Sequence, residues 1–354
     1  MAAERPLEVE GRKLELRRHR VFGALDSETV AGDEDRAGDE STMEGMMKAV
    51  LFAAHGGPEM LRLGEAPDPV AGPGEVVVDV HAASVNAADY KVRLGGGGYS
   101  NLNLPHILGR DFSGVVSALG PGVTDFKVGD PVFGVTDQGI EGCYAEKLAI
   151  KAAIIAKKPD RLGHAEAAAM GLTSLTALWA VEDTAKLKAG ETILIQGGAG
   201  GVAGFAIQLA KHLGATVITT ASARNHDYVK SLGADRAIDY NSQDFAKVVS
   251  DCDVVFDTVG GEVQVRSYDV LKPGGRLVWI AAAPAGFQPS RKDVQVLRPN
   301  VARDRAHHER MLALYDRGAV WPPEITRYKL ADAAEAHRVS EGRHLQGKLV
   351  LEMR

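Results

Sequence analysis

Residues 193–211 read Ile-Leu-Ile-Gln-Gly-Gly-Ala-Gly-Gly-Val-Ala-Gly-Phe-Ala-Ile-Gln-Leu-Ala-Lys, and no other stretch limits the fold so strongly. Ile193–Gln196 reads as a short apolar strand. Gly197–Gly204 carries five glycines in eight residues. From Phe205 onward, apolar residues recur at helical spacing. A strand, a glycine turn and a helix open a dinucleotide-binding βαβ unit, in which the backbone approaches a pyrophosphate seated on the amides and positive dipole of the helix N-terminus. Counting G-x-G-x-x-G from Gly198 makes Ala203 the third position, where alanine still allows close helix–strand packing. The expected cofactor contacts here are Gly198, Gly200, Gly201 and Val202. The competing reading is a glycine-rich loop without a ligand; the strand before and the helix after argue against it.

The unit continues through the β-branched strand Thr216–Thr220 and further strands at Ala237–Tyr240, Asp253–Asp257 and Arg276–Ala281. Leu271–Gly275 precedes the last of these. Strands separated by helical patterns indicate a parallel, doubly wound sheet, which binds ligands at the carboxyl ends of its strands. Val259 and Ala281 therefore line the expected cleft. An NAD site places Asp or Glu about 20 residues beyond the first glycine. The chain instead has Ser222 and Arg224, a hydroxyl and a guanidinium suited to a 2′-phosphate, so NADPH is the expected cofactor. Arg224 reads alternatively as a solvated loop arginine.

The front of the chain reads as β structure. Lys48–Phe52, Glu75–Ala82, Phe112–Gly120 and the run from Phe126 are short strands parted by Gly/Pro turns, which predicts a small barrel. A helix over His164–Trp179 joins it to the nucleotide unit, and Gly347–Glu352 reads as a strand returning to the front. The predicted division is a GroES-like catalytic domain over 47–165 and 302–354, with a Rossmann domain over 166–301.

Residues 1–46 hold seven Lys/Arg against twelve Asp/Glu, so they carry −5 of the net charge of −6. Few core-forming residues follow Leu25, and this acidic leader is expected to be disordered, with translation beginning at Met43, Met46 or Met47. The leader lacks the apolar region of a secretory signal. The near-neutral remainder has no basic surface for nucleic acid, and no apolar run is long enough to span a membrane. Two cysteines, Cys143 and Cys252, exclude a disulfide framework, fit a reducing cytoplasm and read as small buried hydrophobes.

From about residue 47 onward, the chain resembles the zinc-free quinone oxidoreductase (zeta-crystallin-like) branch of the medium-chain dehydrogenase/reductase superfamily. The resemblance rests on Ser84–Lys91, Gly109–Val116, Val128–Val132, Gly171–Thr173, the glycine turn and Asp257–Gly261. Where zinc-dependent members have Gly-His-Glu, this chain has Gly109-Arg110-Asp111, and two cysteines cannot supply four thiolates. No metal is expected. Without a Lewis acid, the expected reaction is hydride transfer from NADPH to an electrophilic small molecule, a quinone or alternatively an enone. A non-catalytic NADPH-binding protein is the competing class.

The resemblance places Asn86 beside the nicotinamide as an oxyanion donor, or as a turn-former. Tyr90 reads as a proton donor or a packed aromatic, and Asp89 with Lys91 as a structural pair. The resemblance puts Thr173 at the nicotinamide end, or at a helix N-cap, and Tyr240 beside the 2′-phosphate or simply packed at its strand end. Lys348 could reach the cofactor phosphates, or be solvated. A homodimer through the edge of the nucleotide-domain sheet is the family tendency.

Overall fold

A computed structural model describes residues 45–96, 101–289 and 291–353. The expected disordered leader lies outside the described residues up to residue 44. The front domain runs β1 (Met46–Phe52), β2 (Arg62–Pro67), β3 (Glu75–Val85), α1 (Ala87–Arg93), β4 (His106–Ile107), β5 (Asp111–Leu119), β6 (Pro131–Val135), β7 (Lys147–Lys151) and β8 (Ile155–Lys157). Helix α2 (His164–Leu178) leads out of it and continues in a π turn to Thr184. Then come β9 (Thr192–Ile195), α3 (Gly201–His212), β10 (Thr216–Ala221), α4 (His226–Ser231), β11 (Arg236–Asp239), α5 (Phe245–Val248), β12 (Cys252–Asp257), α6 (Glu262–Ser267), β13 (Leu271–Trp279) and β14 (Gln295–Leu297). The chain closes with α7 (Arg305–Asp316), β15 (Ile325–Lys329), α8 (Ala333–Glu341) and β16 (Lys348–Glu352).

Strand β3 organises the front domain. Its Val76, Val78, Val80 and Ala83 are buried, and it pairs antiparallel with β5, β7 and β16. The returning strand expected at the C-terminus is thus β16, which joins through Leu349–Val85 and Glu352–Ala82 pairing. Among the described residues the hydrogen-bonded path is open, β15-β16-β3-β5-β6-β8, beside a separate sheet β2-β1-β4. The strands expected to form a barrel therefore make two sheets, joined by an Ala49–Ala145 bridge and a shared apolar core.

The nucleotide domain is a parallel six-stranded sheet in the order β11-β10-β9-β12-β13-β14, the doubly wound order. Leu271–Gly275 belongs to β13, where Leu271 pairs with Cys252 before an irregularity, so this strand starts ahead of the expected Arg276. Strand β14 carries too weak a pattern to read beforehand. The core of this domain takes in α2 and α3 through Met170, Ala177, Phe205, Ile207 and Leu209, and also Met311 and Leu314 of α7. The chain re-enters the front sheet at β15.

Candidate functional site

Helix α3 begins at Gly201, four positions before the apolar periodicity starts. Gly197 has φ +73°, a conformation that costs glycine little, and its amide donates to Thr220 Oγ1 at 3.0 Å. The Gly198 amide donates to Thr220 O at 2.9 Å. A Cβ on Gly198 would stand 2.1 Å from Thr219 Oγ1, so this glycine lets the turn lie flat on β10. Gly200 caps the helix in extended geometry. Among the described residues, the amides of Gly201, Val202 and Ala203 find no protein acceptor. These are the orphan donors of a helix start, at its positive end, with no acidic side chain in the first turn. The turn is built to receive an anion, and it fits a dinucleotide pyrophosphate.

A cleft opens at the carboxyl ends of the parallel strands, between that sheet and the front domain. Asn86, Tyr90, Thr173, Gly200, Gly201, Val202, Ser222, Tyr240, Val259, Ala281 and Lys348 all line it. Gly198 and Arg224 do not. Gly198 is turned to β10 as described, and the exposed Arg224 guanidinium donates to His344 O at 3.0 Å. Arg224 thereby ties the segment between α8 and β16 to the tip of β10. That segment supplies two lining residues the sequence reading missed, Arg343 and His344. Arg343 adopts φ +55° and makes no ion pair among the described residues. Tyr240, half exposed, places its hydroxyl 3.5 Å from His344 Nδ1. The signal available beforehand was a pair of basic residues just ahead of the returning strand. Among the described residues no Asp or Glu lines the cleft, whereas Lys91, Arg343 and Lys348 do.

The opposite end rests on a buried polar cluster. Asn86 sits at the start of α1, where its backbone amide donates to Asp89 Oδ2 at 2.8 Å. Its side-chain Nδ2 donates to Asp111 Oδ1 at 2.9 Å, and its Oδ1 accepts from Lys348 Nζ at 2.8 Å. The amide offered to an oxyanion is thus already committed inward. Asp111 also accepts from Ser84 Oγ at 2.7 Å and from the Leu172 amide at 3.1 Å, which fixes β3, β5 and α2 around one carboxylate. Lys348 is neither solvated nor aimed at the glycine turn. It is 4% exposed, and its ammonium donates to Val85 O at 2.7 Å and to Asn86 Oδ1. Burial holds its pKa below the ordinary lysine value, against the pull of Asp111 and Asp89.

Asp89 does not pair with Lys91. It is fully buried and accepts from the Asn86 amide and, at 2.8 Å, from Tyr144 Oη. Burial pushes its pKa up to about 6, against the Arg110 charge and these hydrogen bonds. Arg110 stands where zinc-dependent members place a histidine. Its Nη2 lies 3.0 Å from Glu141 Oε1 and its Nε 4.0 Å from Asp89 Oδ1. Burial raises the Glu141 pKa, but His106 and Arg110 outweigh it and hold that carboxyl below its ordinary range. Among the described residues no group of three or more His, Cys, Asp or Glu is placed to hold a metal.

Thr173 lies inside α2, not at its start. Its hydroxyl donates to Ala169 O at 2.8 Å, and its methyl faces Gly201. Tyr90 is 7% exposed and lines the cleft, and its hydroxyl has no hydrogen-bond partner among the described residues. Both cysteines are free and buried, and burial pushes the Cys252 thiol up to about 12 and that of Cys143 well above its ordinary value. Neither is a nucleophile at neutral pH.

Two family models match the chain: an alcohol dehydrogenase GroES-like domain over residues 72–160 and a zinc-binding dehydrogenase domain over 232–351. A quinone oxidoreductase of Pseudomonas aeruginosa is 34% identical over 327 residues, covering 86% of this chain and 99% of that protein. A 2-methylene-furan-3-one reductase of Solanum lycopersicum is 38% identical over 254 residues, covering 68% of this chain and 64% of that one. The chain spans only 14% of the length of other relatives, such as a mycocerosic acid synthase-like polyketide synthase of Mycobacterium tuberculosis that is 34% identical over 306 residues. The solved Escherichia coli quinone oxidoreductase complexed with NADPH superposes with a TM-score of 0.79 at 29% identity, over 86% of this chain and 99% of that one. With its GroES-like front and a doubly wound dinucleotide domain that carries the glycine turn between β9 and α3, the chain belongs to the quinone oxidoreductase (zeta-crystallin-like) branch of the medium-chain dehydrogenase/reductase superfamily, a family of nicotinamide-dependent oxidoreductases.

Proposed function

We propose that this oxidoreductase uses NADPH to reduce a quinone, without zinc. One observation carries the reading. The cleft that receives the bare amides of Gly201–Ala203 is lined by Lys91 and Arg343, beside a Lys348 committed to Asn86, and among the described residues by no carboxylate. That charge pattern suits a cofactor with an additional phosphate, and Ser222 replaces the acid that would hold a free ribose hydroxyl. The likeness to a structure complexed with NADPH supports the same choice.

NADPH, when bound, supplies the hydride. The protein's part is placement. Amides at the start of α3 would hold the pyrophosphate; Ser222, Tyr240 and Arg343 would meet the 2′-phosphate; Thr173, Val259 and Ala281 would border the nicotinamide end. The Tyr90 hydroxyl, which has no partner among the described residues, would donate to the acceptor oxygen as negative charge develops there. Asn86, with its amide held by Asp111, shapes the acceptor wall. Arg110, paired with Glu141, puts positive charge where a metal ion would have to sit, so the acceptor must already be electrophilic.

A second reading, reduction of an alkenal or enone, is favoured by the likeness to the furanone reductase. NADPH consumption with a quinone and with an alkenal, at matched concentrations, separates the two. Binding of NADPH with turnover of neither acceptor identifies a non-catalytic NADPH-binding protein. No helix among the described residues is long and apolar enough to cross a membrane, and the two free buried thiols suit the cytoplasm we propose for the protein. Its partner is a small-molecule acceptor, and the edge strand β14 is the surface through which a homodimer would form.

A further inference from the structure

Lys348 joins the two halves of the cleft through different parts of one side chain. Its stem lies under the first residue of α3: a Cβ on Gly201 would meet Lys348 Cδ at 2.7 Å and Cγ at 2.9 Å. Its head reaches the front domain, on Val85 O and Asn86 Oδ1. No carboxylate pairs with it among the described residues. A buried ammonium held only by neutral oxygens costs free energy, so its placement asks for a reason beyond stability. The backbone just before it is fixed as well. The Gly347 amide donates to Ala199 O at 2.8 Å, and with φ +68° and Glu324 O 2.0 Å from where its Cβ would be, only glycine fits.

An asparagine amide can sit either way round in a symmetric pocket. Here the pocket is polar in one direction. Lys348 can only donate, so it takes Oδ1, and the Asp111 carboxyl oxygens, which also accept from Ser84 Oγ and the Leu172 amide, take Nδ2. We propose that Lys348 is a positioning residue that fixes the orientation of Asn86, and through it the acceptor wall, while its stem registers that wall against the cofactor turn. The head has no direct part in holding cofactor phosphates. The inference rests on the reading of this cleft as a nicotinamide-dependent reductase site.

Lys348→Met keeps the stem and removes the head. The test combines selective 15N-asparagine labelling, which reports on six asparagines, with NADPH titration by fluorescence and with turnover. Lys348→Met is expected to shift the Asn86 side-chain amide pair and speed its hydrogen exchange. NADPH affinity is expected to change less than about threefold, and turnover to fall about tenfold or more, as the loss of one charged hydrogen bond implies. Adding Asn86→Ala to Lys348→Met should lower turnover little further, because the two act as one unit. An unmoved Asn86 amide overturns the proposal, as does unchanged turnover in a folded variant. A loss of NADPH affinity as large as the loss of turnover also overturns it and assigns the head to the cofactor. If Lys348→Met fails to fold, Lys348→Gln, which retains a donor for Asn86 Oδ1, is measured in its place. The Asn86 amide pair and turnover are then expected to stay near the wild type, and a loss of turnover of about tenfold in that folded variant overturns the proposal. If the wild type binds no NADPH, the functional reading fails instead, and the amide resonances still report on Lys348 and Asn86.

Discussion

Lys348 Cδ lies so near Gly201 that a methyl group on that glycine would meet it at 2.7 Å, with Thr173 Cγ2 at 2.9 Å on the other side. Both neighbours are buried, and the lysine head is anchored at Asn86, so neither can withdraw freely. Gly201→Ala is therefore expected to push the helix start out of register and weaken NADPH about tenfold or more, with a stability loss of about 1–3 kcal/mol from overpacking. At Gly200 the nearest atom to an added Cβ is 3.5 Å away, so Gly200→Ala should cost much less stability. Thermal melting and fluorescence titration of both variants check this.

Cofactor choice is written at the other end of the cleft. Ser222 stands at the tip of β10, and Arg343, on the segment before β16 that Arg224 ties to that tip, lines the same cleft. Arg343→Ala is expected to weaken NADPH by about 1.5–3 kcal/mol, the range for a hydrogen bond to a charged group, and to leave NADH nearly unchanged. Ser222→Asp should reverse the preference by repelling the 2′-phosphate. Arg224→Ala, which removes a tie to His344 O rather than a cleft residue, should affect both cofactors alike. Binding constants for the two cofactors decide each case.

The buried carboxyl of Asp89 gives the fold a slope with pH. Burial raises its pKa from 3.8 to about 6, so the native state holds that proton more tightly than the unfolded chain does. Its contribution is greatest below about pH 4 and falls as pH rises to 6, by up to about 3 kcal/mol. Asp89→Asn keeps an acceptor for Tyr144 without the charge, so it should gain on the wild type over that interval. Denaturant melts at pH 4, 5 and 6.5 measure the difference, and parallel curves would refute it.

Histidines act in the opposite sense. Burial lowers His308 and His337 to about 3 and His164 to about 4. Below pH 6.5 the unfolded chain takes protons that the native state refuses, so stability falls as pH drops. His308 packs edge-on against Phe133 at 5.0 Å, and neither of its ring nitrogens has a hydrogen-bond partner among the described residues. His308→Phe is expected to reduce the acid slope by about 1.4 kcal/mol per pH unit, one proton's worth. Melting temperatures at pH 5 and 7 report it.

What the sequence disclosed was whatever is local. Strand, glycine turn and helix at 193–212 follow one another without interruption, so period and glycine placement reveal them. The returning strand at Lys348–Glu352 was legible for the same reason. The barrel expected at the front is not seen closed among the described residues; closure depends on pairing between distant strands, which the local pattern does not report. Arg224 was chosen for its place in the chain, yet Arg343 lines the cleft, and only the fold brings residues 222 and 343 to one cleft. The assignments of Asn86 and Lys348 missed their mutual hydrogen bond, which joins residues 262 positions apart. Asp89 looked like a partner for Lys91 two positions away, but α1 turns one inward and the other to the cleft.

The central claim is NADPH-dependent reduction of a quinone without a metal. The most direct test is the loss of NADPH absorbance when a quinone is added to chelator-treated protein whose zinc content has been measured. The account predicts substoichiometric zinc before treatment, undiminished turnover after it, and a faster rate with NADPH than with NADH. One tightly bound zinc per chain whose removal abolishes turnover, or no quinone-dependent oxidation of NADPH at all, would contradict it.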